Sequence, residues 1–387
     1  MTKYSTKKEL SMQKSKNSYN TLVDNSKNES KIRNASKIHY MSTTRSSGIG
    51  YLIYDVPYGS HISFVPRSDM HYSTADPNVL DTLDKYLSNT ITTIFDHGDM
   101  LQVPVEGHHG GETQESKITT AEEQELFSER NKLYSHKIIG ACGGTHDDPE
   151  FASRLKDSYI SAVKPCYDKF DIPYFANSLV IEYRVPVVLG NKVQGKASLW
   201  CVVLHCSGKP GSKKLGSVDK TFDQGMGIVK KFNQEYGKDI SPDYIIGGHF
   251  HANSKADYLV EKTIFNDKGK ATGTYRQIVK VRSGATLQSS NSSSFNRSFP
   301  EILFPNLTQY DIHFVKNTEF DENKFNRFQK FIPIATEFPI LTKDGQLSQP
   351  AKEYMSVRKD HDFSTLIESV NKDKSLKELT ENFEKGI

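Results

Sequence analysis

The chain has 387 residues, an apolar fraction of 36% and a formal charge of +3 at neutral pH. That is enough for one large domain or two modest ones, with a charge balance that argues neither for nor against nucleic acid. Four cysteines without Cys-x-x-Cys spacing exclude a disulfide scaffold, and the lack of any apolar run near the roughly 18 residues of a membrane span excludes a membrane partner, so a cytoplasmic protein is expected.

Residues 1–47 carry ten basic against three acidic side chains, a balance of +7. They read as a basic, disordered tail, or else as an arm for nucleic acid or another partner. The folded domain is expected over 48–316, and 317–387 reads as a charged, partly helical C-terminal extension with weak helical periodicity over 364–383. Tyr51, Ile53, Tyr54 and Val56, followed by the apolar run 62–65, suggest a hairpin or two edge strands. Asp76-Pro77 opens a helix whose residues Val79, Leu80, Leu83, Tyr86 and Leu87 keep helical spacing. It leads into an apolar strand ending at Gly98-Asp99, a βαβ unit with parallel strands. A long loop follows, containing His108-His109-Gly110-Gly111, then a charged helix over 121–134 and a strand over 137–139. Asp148-Pro149 opens another helix reaching Val163. Strands are expected over 172–188, and the near-continuous apolar run 197–204, with Trp200 as core, reads as the middle of a covered sheet. A mobile Gly- and Lys-rich loop over 207–225, a helix over 223–236 and a strand over 243–246 come next, followed by short strands near 258–265, 275–281 and 309–314.

Five of these hydrophobic segments end in polar clusters. They deliver Asp69 and His71, Gly98-Asp99, Thr145-His146-Asp147, His205, and Gly248-His249-Phe250-His251. Open α/β sheets place their chemistry at the carboxyl ends of strands, and residues two apart on a strand share a face. Imidazole with carboxylate suits Mn, Fe or Zn, and one carboxylate can bridge two ions about 3.5–4 Å apart. Asp99 fits that bridging position, and the five clusters together point to a metal centre.

The ordered set Asp69-Met70-His71, Gly98-Asp99, Gly144-Thr145-His146-Asp147, His205 and Gly248-His249-Phe250-His251 resembles the calcineurin-like metallophosphoesterase superfamily. The pattern there is Asp-x-His, Gly-Asp, Gly-Asn-His-Asp/Glu, His and Gly-His-x-His, and the match covers about 47–253. Within the superfamily, the long insert after Asp99 and the His205-Cys206-Ser207-Gly208 turn are similar to uncharacterised phosphoesterases of bacteriophage genomes. The resemblance implies an α/β fold, a four-layer α/β/β/α sandwich with two central mixed sheets, and two divalent metal ions, Mn first with Fe or Zn as alternatives. It further implies that Asp69, His71, Asp99 and His251 hold one ion and that Asp99, Thr145, His205 and His249 hold the other. His146 is then the general acid or charge stabiliser beside the phosphate, with Asp147 orienting its ring. The implied reaction is hydrolysis of a phosphate ester by a bridging water that loses its proton near neutral pH and attacks phosphorus in line.

A phosphodiester, as in a nuclease acting on nucleic acid, is the first choice, because His146 is present as a leaving-group acid and the tail is basic. A phosphomonoesterase or protein phosphatase is the runner-up, and a degenerate fold used as a binding module is the third reading. One departure stands out: Thr145 occupies the family's Asn position, putting a hydroxyl, a poorer donor to a divalent ion, where an amide carbonyl is usual. Outside the motifs, His97 is expected to face away from the metals. His108 and His109 are candidates for substrate contact or simple solvation, as are Lys209, Lys213, Lys214 and Lys220 for phosphate. Arg282 with Gly284 is a candidate turn near the site. Cys142 and Cys206 read as packing residues rather than nucleophiles.

Overall fold

In the computed structural model the described residues are 38–42, 48–56, 61–103, 118–147, 161–189, 192–207, 214–251, 253–265, 270–287, 304–316 and 331–359. They form a mixed α/β structure with two mixed sheets. The seven-stranded sheet has the order β1 (Ile38–Ser42), β2 (Ile49–Asp55), β7 (Ser178–Leu189), β8 (Lys192–His205), β9 (Tyr244–Gly248), β11 (Ala271–Ser283), β10 (Ser254–Phe265). The six-stranded sheet has the order β13 (Phe331–Pro339), β12 (Thr308–Lys316), β3 (His61–Arg67), β4 (Thr93–His97), β5 (Ile138–Cys142), β6 (Tyr174–Phe175). The run β3-β4-β5-β6 is parallel, as are the pairs β8-β9 and β9-β11.

Three apolar clusters hold these elements together. Between the sheets, Leu52, Leu179, Ile181 and Val203 of one meet Phe64, Phe95, Ile139 and Ile312 of the other, with Phe64 stacked on Tyr310 at a centroid distance of 4.9 Å. The far side of the six-stranded sheet, through Val65, Ile94 and Ile138, packs against α1 (Pro77–Asn89), α2 (Thr120–Asn131), α3 (Lys164–Asp168) and α5 (Gln349–Lys359). The far side of the seven-stranded sheet, through Val202, Ile245 and Val281, packs against α4 (Lys214–Tyr236). In α1 the Asp76 carboxylate caps the first turn by accepting from Asn78 N at 2.8 Å, and Pro77 sits where its missing N–H costs nothing. The α1 residues Val79, Leu80, Leu83, Tyr86 and Leu87 are all buried, and the β3-α1-β4 crossover joins parallel strands as expected.

Several expectations are corrected. The segments around Tyr51 and Phe64 are not a hairpin: β2 pairs in parallel with β7 and β3 in parallel with β4, in different sheets. Helix α4 begins at Lys214 rather than near Asp223, inside the stretch read as a loop. Gly225 lies in that helix because it passes close to the sheet, where an added Cβ would stand 2.3 Å from Ile245 Cγ2. Strand structure also passes both expected boundaries. Within 1–47, β1 pairs with β2, and within 317–387, β13 pairs with β12 while α5 carries Ala351 into the core. The helix expected from Asp148 to Val163 falls largely on residues outside those described, as do 317–330, 360–387, His108, His109, Lys209 and Lys213. Among the described residues, no helix is long and apolar enough to cross a membrane.

Candidate metal centre

The parallel strands β3, β4 and β5 of one sheet, and β8 and β9 of the other, all end at one place. Asp69 and His71 follow β3, Asp99 follows β4, Thr145, His146 and Asp147 follow β5, His205 ends β8, and His249 and His251 follow β9. Asp69, His71 and His251 offer ligand atoms that all lie within 4.8 Å of one another, and so do Asp99, His205 and His249. A third such group, His71, Asp99 and His146, joins the two. Three residues of each expected set of four are brought together, without Asp99 in the first or Thr145 in the second, and each of these two groups draws on both sheets.

The backbone is bent to achieve this. Asp69, His71, Asp99, His249 and His251 have φ of 51°, 43°, 53°, 82° and 52°, the left-handed region that residues with a Cβ rarely adopt. Among the described residues only Asp171 joins them as a non-glycine. Backbone hydrogen bonds lock the loops: Asp69 N donates to Gly98 O at 3.0 Å, and His71 N donates to Asp99 O at 3.2 Å. Gly144 is required for close approach, since a Cβ there would lie 2.2 Å from Asp99 N.

The side chains interlock across the sheets. Asp69 Oδ1 lies 3.0 Å from His251 Nε2, and its carboxylate accepts from His249 N at 2.9 Å. Asp99 Oδ2 lies 2.9 Å from His205 Nε2 and 3.9 Å from His146 Nε2, while Oδ1 accepts from His146 N at 2.7 Å. His205 Nδ1 is 3.0 Å from the His97 carbonyl, a backbone contact that leaves Nε2 facing Asp99. Burial would raise Asp69 and Asp99, yet the His251 and His205 rings beside them hold both carboxyls below the ordinary range. Burial pushes His71 down to about 3 and His249 to about 4, and lowers His146. Burial alone would lower His205 as well, but the Asp99 carboxylate carries it up to about 9.

These residues fit a metal. Both ring nitrogens of His71 are buried without a hydrogen-bond partner, a costly state for an imidazole unless a cation takes the lone pair. Ionised Asp with neutral His71 and His249 is the protonation that metal ligands need. Thr145 behaves differently from a ligand: its hydroxyl donates to Asp99 Oδ2 at 3.1 Å. Asp147 is buried and accepts from Leu101 N at 2.8 Å and Met100 N at 3.2 Å. That contact holds the loop after Asp99.

His97 lines a small cavity together with Pro66, Ile246 and Arg282. Arg282 does not serve the centre. Its guanidinium pairs with Glu337 of β13 at 2.7 and 2.8 Å and with Asp257 of β10 at 2.9 Å, linking the two sheets. Cys142 and Cys206 are buried, and burial pushes the Cys206 thiol up to about 12, as expected of packing residues. Trp200 stacks on Tyr51 at 6.0 Å.

Supporting residues missed in the sequence include Ser68, whose hydroxyl donates to Asp69 Oδ2, and Thr286, which donates to Asp69 O at 3.1 Å. Asn306 Nδ2 donates to His251 O at 3.2 Å. Glu123 is buried and accepts from Ser73 N at 2.7 Å and Gln102 N at 2.9 Å, holding the chain after both His71 and Asp99. Its only signal is position: Glu123, Phe127 and Asn131, spaced by four, form the buried stripe of α2. No protein-family model matches the chain, and no curated protein matches its sequence.

Proposed function

We propose that this protein is a metal-dependent phosphoesterase of the calcineurin-like metallophosphoesterase type, with the four-layer α/β/β/α arrangement of that superfamily, acting on a phosphodiester such as nucleic acid. The observation that carries the reading is the pair of three-residue ligand groups, one around Asp69 and one around Asp99, with the orphaned His71 ring between them. Asp69, His71 and His251 would hold one divalent ion and Asp99, His205 and His249 the other. When bound, the two cations supply positive charge for the phosphoryl oxygens and acidify a water. The chain's own residues do the rest. Asp99, which also groups with His71 and His146, balances the cationic charge, and the loops locked by Gly98 O and Asp99 O keep the donors in place before substrate arrives. His146 has its backbone N–H on Asp99 Oδ1 and its ring partly open to solvent. It is placed to steady the phosphate or give a proton to the leaving oxygen.

The test is Mn²⁺-dependent hydrolysis of bis(p-nitrophenyl) phosphate by the full chain, beside p-nitrophenyl phosphate and a His146→Ala variant. The expected result is turnover of the diester, with a loss of about 10²–10⁴-fold in the variant. No turnover of either ester with Mn, Fe or Zn sinks the enzymatic reading and favours the binding module.

The Thr145 hydroxyl is committed to Asp99, so an amide in its place is expected to add a carbonyl donor to the Asp99 group. Thr145→Asn should lower the metal concentration for half-maximal activity by on the order of 10-fold. An unchanged metal titration would mean that position 145 lies outside the coordination sphere.

A further inference from the structure

A second histidine and aspartate cluster lies well away from the centre just described. His61 begins β3, and Asp311 and His313 stand two apart on β12, repeating the Asp-x-His spacing of Asp69 and His71. The β3-β12 ladder places His313 opposite His61 as its last pair. The alternation of the two strands sends Ile62, Phe64, Ile312 and Phe314 into the core between the sheets, so His61, Asp311 and His313 share the opposite face. There, Asp311 Oδ1 meets His61 Nε2 and Asp311 Oδ2 lies 3.4 Å from His313 Nε2, with the two imidazole centroids 4.5 Å apart. One ligand atom from each residue lies within 4.8 Å of the other two.

We propose that His61, Asp311 and His313 bind one divalent cation of the Zn²⁺ class. Two imidazole nitrogens and one carboxylate form a donor set that zinc accepts with a fourth position left to water. The donors stand on two hydrogen-bonded strands, so little ordering is needed on binding. The site sits at the far end of β3 from Asp69, roughly 20 Å away at about 3.3 Å per residue, and it does not touch the proposed substrate position. Its place gives it a purpose of its own. β12 pairs with β13 over nine residue pairs but with β3 over only four, ending at His61 and His313. An ion there fastens the β12-β13 edge to the strand that leads to Asp69.

The test measures Zn²⁺ stoichiometry in the metal-stripped full chain by competition with a chromophoric chelator. It compares the parent with His313→Ala and His61→Ala, and repeats the comparison in an Asp99→Asn background, where the carboxylate of one proposed catalytic group is removed. The His313 side chain is 52% exposed, so its variant is expected to keep the parent circular dichroism spectrum. The expected result is one Zn²⁺ fewer per chain in each histidine variant in both backgrounds, with loss of the Zn²⁺-induced rise in melting temperature that this site contributes. Equal stoichiometry for parent and His313→Ala in both backgrounds overturns the proposal. Failure of the Asp99 centre to bind metal would leave the one-equivalent difference intact, so the two readings fail separately.

Discussion

Replacing Asp99 by asparagine is expected to abolish the proposed metal-dependent hydrolysis, by on the order of 10³-fold or more, while leaving the chain folded. Asp99 is buried, it belongs to two of the ligand groups, and its carboxylate meets His205, His146 N and Thr145 at 2.9, 2.7 and 3.1 Å. An amide keeps the volume and one acceptor but removes the charge that a divalent ion needs. Asparagine also tolerates the φ of 53° at this position, so backbone geometry should survive. Losing a buried carboxylate at a strained site often raises stability as it removes function, and a melting temperature at or above the parent's is expected. Activity assays with saturating Mn²⁺ beside thermal melts decide the matter. Parent-like turnover in Asp99→Asn would remove Asp99 from the chemistry, and a large drop in melting temperature would make its role structural.

The second large effect lies beneath the site. Arg67→Met is expected to destabilise the protein by about 3–5 kcal/mol, the range for breaking a buried ion pair from one side. Arg67 and Asp96 are fully buried and pair in two parallel hydrogen bonds of 2.8 Å. Arg67 also donates to Asn131 at 2.8 Å and Tyr134 at 3.0 Å, and Tyr167 donates to Asp96 at 2.7 Å. The two residues face each other across the β3-β4 ladder, directly before the loops that carry Asp69 and Asp99. With methionine at 67, Asp96 is left as a buried charge held by little more than Tyr167. The double variant Arg67→Met with Asp96→Leu removes that charge and is expected to recover much of the loss. Urea unfolding of parent, single and double variants measures both. A single variant within about 1 kcal/mol of the parent would mean that water or a neighbouring group compensates.

What was legible in the sequence was the part governed by local rules. Asp76-Pro77 with apolar residues at helical spacing could only be a helix start, and five apolar runs ending in Asp or His, in order, marked the strand ends that converge on the candidate centre. Pairing was not legible. The alternation in Tyr51 to Val56 is the same whether the strand turns back as a hairpin or pairs with β7, whose residues come more than a hundred positions later. The glycines 216 and 225 made the start of α4 look like a loop, although Gly225 is there because the helix lies against Ile245. Pro333 and Pro339 similarly hid β13, which tolerates them because it is an edge strand. At the site, the residues that converge were readable, but the groups that hold them in place were not. Glu123 and Asp147 act through backbone N–H groups of the Ser73 and Met100–Gln102 stretches, contacts that depend on no sequence motif.

Each ligand group takes donors from both sheets: Asp69 and His71 from one with His251 from the other, and Asp99 from one with His205 and His249 from the other. An ion held by either group is therefore a rivet through the interior, and the spacing of the two rivets is set by how the sheets seat on Phe64, Phe95, Ile181 and Val203 rather than by the loops alone. Choice of ion size would then be a property of the hydrophobic interlayer, and a change of one methyl group there would reach a bound ion without touching Asp69, Asp99 or their histidines.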